Sequence, residues 1–138
     1  MTMANVKRIG IGLLISVVIL LLLDLLPGLI PDQYVTYRLF DHFYVWPGVG
    51  WAIELFLAAF GGAYVSKSRF VIPAALLAVV VWLFSIYSLN SIAAAAGQGD
   101  FLFAASINLL GLVFGTAGAV LGAISGMGLA GDFIPAAN

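Results

Sequence analysis

Residues 101–129 read FLFAASINLLGLVFGTAGAVLGAISGMGL, a stretch without a single charged side chain. A helix needs roughly 20 mostly apolar residues to cross a hydrocarbon core ~30 Å thick, at ~1.5 Å per residue. The stretch from Phe101 to Leu129 meets that length and leaves residues over for tilt or for an end short of the membrane surface. It also carries a packing pattern. Asn108, Gly111, Gly115, Gly118, Gly122 and Ser125 recur at spacings of 3, 4, 3, 4 and 3, which places them on one helical face. Gly118, Gly122 and Gly126 add a G-x-x-x-G-x-x-x-G series. Lipid gives no hydrophobic drive for helix association, so a face without side chains is valuable because another backbone can approach it. Two partners remain open: a neighbouring helix of the same chain, or a second copy across an oligomer interface or pore wall.

Working outward from this helix, three more segments have spanning length. They run from about Ile9 to Leu26, stopping at Pro27-Gly28; from Pro47 to Ser66; and from Phe70 to Asn90. Pro47 and Pro73 fall in first turns, where a missing N–H costs nothing. Composition agrees. Of 138 residues 64% are hydrophobic and 8% charged, with a mean hydropathy of +1.18. A soluble domain of this size leaves about a third of its chain surface in water, and so few charges would not keep that surface soluble.

The basic residues orient the spans. Lys7 and Arg8 precede the first and Lys67 and Arg69 join the second to the third, whereas only Arg38 falls on the other side. By the positive-inside rule both termini are cytoplasmic, which suits an even number of spans. The run after Lys7-Arg8 is longer than a signal-peptide core and has no small-x-small site after it, so an uncleaved first helix is expected. Ser66–Arg69 is expected to be a tight turn that makes spans two and three an antiparallel hairpin. Ser91–Asp100 extends the third span by a turn before a glycine-rich loop.

The outer segment 31–46 interleaves Tyr34, Tyr37, Phe40, Phe43, Tyr44 and Trp46 with Asp32, Arg38, Asp41 and His42. Aromatic rings with polar tips favour the headgroup layer, so residues 33–44 read as a short amphipathic helix on the outer surface. Tyr34, Tyr37, Arg38, His42 and Trp46 serve there either as an anchor or as a docking surface. The expected fold is thus an all-α membrane protein. It is one integral membrane domain over residues 1–138, a four-transmembrane-helix bundle with N-in/C-in topology and an interfacial segment in its first outer loop.

One polar site stands out. Glu54 is the only acid well inside a span, ~10 Å below the outer boundary, and shares its face with Gly50, Ala58 and Gly61 or Gly62. An acid at that depth is costly unless paired, protonated or hydrated, which makes it a functional candidate. Asn108, Ser85, Ser88 and Asp24 are expected in the same half of the membrane. Together with Glu54 they form either an outward-facing cavity for a cation or proton, or a set of hydrogen bonds that fixes helix register.

The exclusions are firmer. No cysteine rules out thiol catalysis, disulfides and cysteine-ligated metals. One histidine, with no H-x-x-x-H, phosphate loop or nucleophile elbow, leaves no metal, cofactor or catalytic motif. A net charge of −1 gives no nucleic-acid surface. The expected partners are the bilayer and other membrane subunits or further copies of the chain, in a bacterial or archaeal plasma membrane. The leading reading is a non-catalytic accessory or scaffolding subunit; the alternative is a small homo-oligomeric channel or transporter using Glu54.

Overall fold

The computed structural model describes residues 3–29, 47–95, 97 and 99–131, and every regular element among them is a helix. The helices are α1 (Met3–Leu29), α2 (Pro47–Ser66), α3 (Val71–Ala95), α4 (Phe101–Ile107) and α5 (Leu109–Leu129). Three stretches, Met3–Leu23, Val71–Ile92 and Leu109–Leu129, are long and apolar enough to cross a membrane, and the apolar part of α2, Gly50–Ser66, is shorter. The outer segment 31–46, with Tyr34, Tyr37, Arg38, His42 and Trp46, lies outside the described residues.

The glycines of α5 settle the central packing. A methyl group at Gly118 would collide with the carbonyl oxygen of Ala52, one at Gly122 with that of Phe56, and one at Gly126 with that of Phe60. The two series climb together by four residues, so α2 and α5 run parallel and touch backbone to backbone. That approach suits Cα–H···O=C contacts, and no side chain larger than hydrogen leaves room for it. Leu55, Ala59 and Ala63 of α2 and Ala119, Ala123 and Met127 of α5 fill the seam's flanks as one buried cluster. The partner of the glycine face is therefore a helix of the same chain. Its membership is narrower than the spacing predicts: Gly115, Gly118, Gly122 and Gly126 are buried, whereas Gly111 borders open space and Ser125 is exposed.

The second close contact is between α1 and α2. Gly12 and Gly62 face one another so tightly that a methyl on either would meet the other's carbonyl oxygen, at 2.7 and 2.6 Å. One turn on, the buried Ser16 Oγ donates to the Ala58 carbonyl at 2.8 Å. Gly12 pairs with Gly62 and Ser16 with Ala58, so these helices are antiparallel. On the far side α3 lies antiparallel to α5. The Phe70 N–H donates to Met127 Sδ at 3.2 Å, and Trp82 Nε1 donates to the Asn108 carbonyl at 2.9 Å.

Three expectations need correction. First, α2 and α3 are joined by a tight turn at 67–70 but hardly pack as a hairpin, because α5 lies against α2 and takes that place. Second, residues 101–129 are not one helix. Asn108, at φ −101° and ψ 9°, separates α4 from α5. Its side chain donates to Ala104 O, and its carbonyl accepts from the Trp82 indole. Third, α1 continues past Pro27 to Leu29, since a proline in a last turn removes only its own donor. The other bounds fare better. α2 begins at Pro47 and ends at Ser66 as expected, and α3 gains its extra turn, to Ala95. Asp100 caps α4, its Oδ1 accepting from the N–H groups of Leu102 and Phe103. Lys67 ends α2 at φ 46°, a left-handed conformation that glycine adopts more easily.

Candidate functional site

Helix registers place the polar candidates at heights that sequence distance alone does not reveal. Continuing the pairs Gly12–Gly62 and Ser16–Ala58 sets Leu20 level with Glu54, so Asp24 lies one turn, ~6 Å, beyond it. Continuing Ala52–Gly118 and Phe56–Gly122 sets Glu54 level with Val120. Asn108 is then ~18 Å farther along the bundle, at ~1.5 Å per residue. It precedes the spanning stretch Leu109–Leu129 instead of lying inside it. Trp82 is level with Asn108 through their hydrogen bond, and Ser85 and Ser88 lie farther on along α3. The expected single polar layer is thus two layers. Glu54 and the backbone of Asp24 share one, and Asn108, Ser85 and Ser88 share the other.

Glu54 sits on the α2 face that turns from enclosed to open. Ala58, one turn nearer the basic end, is fully buried against α1, whereas Gly50, one turn the other way, is exposed and borders open space. Glu54, between them, is half-buried and is engaged in an interaction, not free. The Asp24 side chain lies outside the described residues.

In the second layer the polar groups serve their own helices. Asn108 Nδ2 donates to Ala104 O at 2.9 Å, and Ser88 Oγ donates to Phe84 O at 2.9 Å. Ser85 is half-buried. Asn90, farther up α3, keeps its Oδ1 buried without a hydrogen-bond partner among the described residues. Back-bonding of this kind satisfies a hydroxyl or amide locally, and it directs these groups to their own helices, not toward Glu54. Among the described residues no three His, Cys, Asp or Glu side chains gather as metal ligands.

The opposite end of the bundle holds a feature that the sequence reading used only for topology. The start of α1, the 67–70 turn, the start of α3 and the end of α5 meet around a cleft of about 710 Å³. Lys67 and Arg69 line it, and Lys7 and Arg8 stand on the same end of α1. The run Lys67-Ser68-Arg69 was the available signal, but the residues that complete the cleft come from three helices. In comparisons with known proteins no family model matches the chain, and no curated protein or solved structure matches it either.

Proposed function

We propose that this chain is a four-span membrane protein with both termini cytoplasmic, and that it acts as a non-catalytic accessory or scaffolding subunit of a larger membrane complex. The observation that carries the reading is where the close packing goes. The glycine face that would suit a pore wall or oligomer seam is occupied by α2 of the same chain. What the bundle presents outward is a broad apolar surface. On α3, Ile72, Leu76, Val80, Phe84 and Tyr87 form a continuous exposed ridge, and on α1 Leu14, Val18, Leu21 and Leu25 form another. Such surfaces suit lipid or another subunit's helices.

The four-span count is supported by direction and charge. α2 and α5 run one way, α1 and α3 the other, and the basic pairs of α1 and of the 67–70 turn belong to one end. α2 is short, but it is flanked by α1 and α5 and needs less lipid contact than they do. The absence of cysteine makes the topology directly testable. In spheroplasts of a bacterial host, Ala94→Cys is expected to react with a membrane-impermeant maleimide, and Met3→Cys only after lysis. Labelling of both from outside would remove the four-span topology.

Transport remains the alternative, with the half-buried Glu54 as its support; the two-layer arrangement withdraws Asn108, Ser85 and Ser88 from that site. Under the accessory reading the chain co-purifies in mild detergent at fixed stoichiometry with unrelated membrane subunits, and Glu54→Gln leaves that assembly intact. A discrete homo-oligomer whose cation or proton flux in proteoliposomes disappears in Glu54→Gln would instead establish transport.

A further inference from the structure

We propose that the cleft at the basic end binds the phosphate headgroup of an anionic phospholipid. The inference rests on insertion in a bilayer but not on the accessory role. Two cations, Lys67 and Arg69, stand on a four-residue turn between α2 and α3, and Ser68 lies between them with its Oγ buried and without a hydrogen-bond partner among the described residues. Asn5 adds an amide from α1, and among the described lining residues none is acidic. α1 and α3 begin at this end and α2 and α5 finish there, so the helix dipoles offset and the two side-chain cations supply the charge.

The remaining walls are apolar. Ile9 and Met127 close the cleft from α1 and α5. Cations beside apolar walls, at the end of helices that cross a membrane, match a molecule that is charged at its head and apolar just below. A soluble anion would use only the first half of that surface. The volume of about 710 Å³ suits a headgroup with its first methylenes, within the ordinary ~300–1,000 Å³ of ligand sites. Basic pockets between helices on the cytoplasmic side are suited to anionic headgroups.

The test uses the full chain in a neutral mild detergent, with melting temperature followed against added ligand. Dioctanoyl phosphatidylglycerol is expected to raise it saturably, and dioctanoyl phosphatidylcholine and inorganic phosphate to raise it little. The exposed pair Lys67→Gln/Arg69→Gln should weaken the phosphatidylglycerol response about tenfold or more. Arg69→Gln alone should weaken it by less, and both variants should keep the helical circular dichroism of the parent. Lys7→Gln/Arg8→Gln, on the same end but outside the cleft wall, should change it less than about threefold. An equal response to phosphatidylcholine would show general lipid solvation, and an equal response to phosphate a soluble-anion site; either overturns the proposal. So would equal losses in the two double variants, which would mean diffuse attraction to a basic surface. These readings do not depend on any partner subunit, so a failed accessory role leaves them intact.

Discussion

Gly122→Leu is expected to leave no folded bundle. The first carbon of any side chain at Gly122 collides with the carbonyl oxygen of Phe56, and backbone cannot rotate aside as a flexible side chain would. Accommodating leucine means pushing α2 away from α5, which also empties the contacts of Leu55, Ala59, Ala119 and Ala123. Alanine grades the effect. At an open helical position, Gly→Ala gains up to about 1 kcal/mol of helix propensity. Gly111 is such a position, with nothing within 4 Å of the added methyl, so Gly111→Ala should be neutral or stabilising. At Gly118 and Gly122 the same gain is opposed by overpacking of roughly 1–3 kcal/mol or more. With a carbonyl as the obstacle, the clash wins. Both alanine variants should therefore lower the unfolding midpoint in detergent titrations followed by circular dichroism, and both leucine variants should abolish the transition. Gly122→Ala as stable as Gly111→Ala would mean that the two backbones are not in contact.

The sign difference between Gly111 and Gly122 also marks what the sequence can and cannot display. Spacing identifies a helical face, and Gly115, Gly118, Gly122 and Gly126 are buried in α5. It cannot say where the facing helix begins and ends, so Gly111 and Ser125 looked equivalent to the rest. The bounds of α2 were legible because Pro47 and the Ser66–Arg69 turn punctuate a uniform apolar run. The division at Asn108 was not, and the Trp82 indole that meets its carbonyl comes from α3, a contact with no local signature. The α1 seam was partly legible. Gly12 and Ser16 stand four apart, as do Ala58, Gly62 and Ser66, but small residues are common in apolar helices and only the structure pairs these. The heights of polar residues were the least legible. Counting from span ends placed Asn108 beside Glu54, whereas helix register separates them by ~18 Å, because residues 101–107 form a helix of their own ahead of the span. That separation removes the shared cavity on which a cation site in the outer half depended.

Phe70→Ala should produce the largest loss from a single truncation. The Phe70 ring is 0% exposed and is the largest side chain in the fully buried set. It lies against both glycines of the α1–α2 contact, since a methyl at Gly12 would come within 2.6 Å of its Cε2 and one at Gly62 within 3.0 Å of its Cε1. In water, truncating a buried phenylalanine costs transfer energy plus a cavity term. In a bilayer the transfer part shrinks, because lipid solvates the ring nearly as well as the protein interior does. The cavity part stays: ~100 Å³ of lost volume at ~24 cal/mol per Å³ gives about 2.4 kcal/mol. Phe84, 70% exposed on the outer ridge of α3, leaves no cavity when truncated, so Phe84→Ala should be close to neutral. Gly12→Ala supplies an internal check on the geometry. Its methyl meets three obstacles, the Phe70 ring at 2.6 Å, the Gly62 carbonyl oxygen at 2.7 Å and Ser66 Cβ at 2.8 Å. Phe70→Ala removes only the first. In a double-mutant cycle the Gly12→Ala penalty should therefore fall by about 0.5–1 kcal/mol in the Phe70→Ala background without vanishing. Complete relief would mean that the ring alone holds α1 and α2 apart, and no relief would mean that Phe70 does not reach Gly12. Partial relief is what two backbones in direct contact beside a buried ring require.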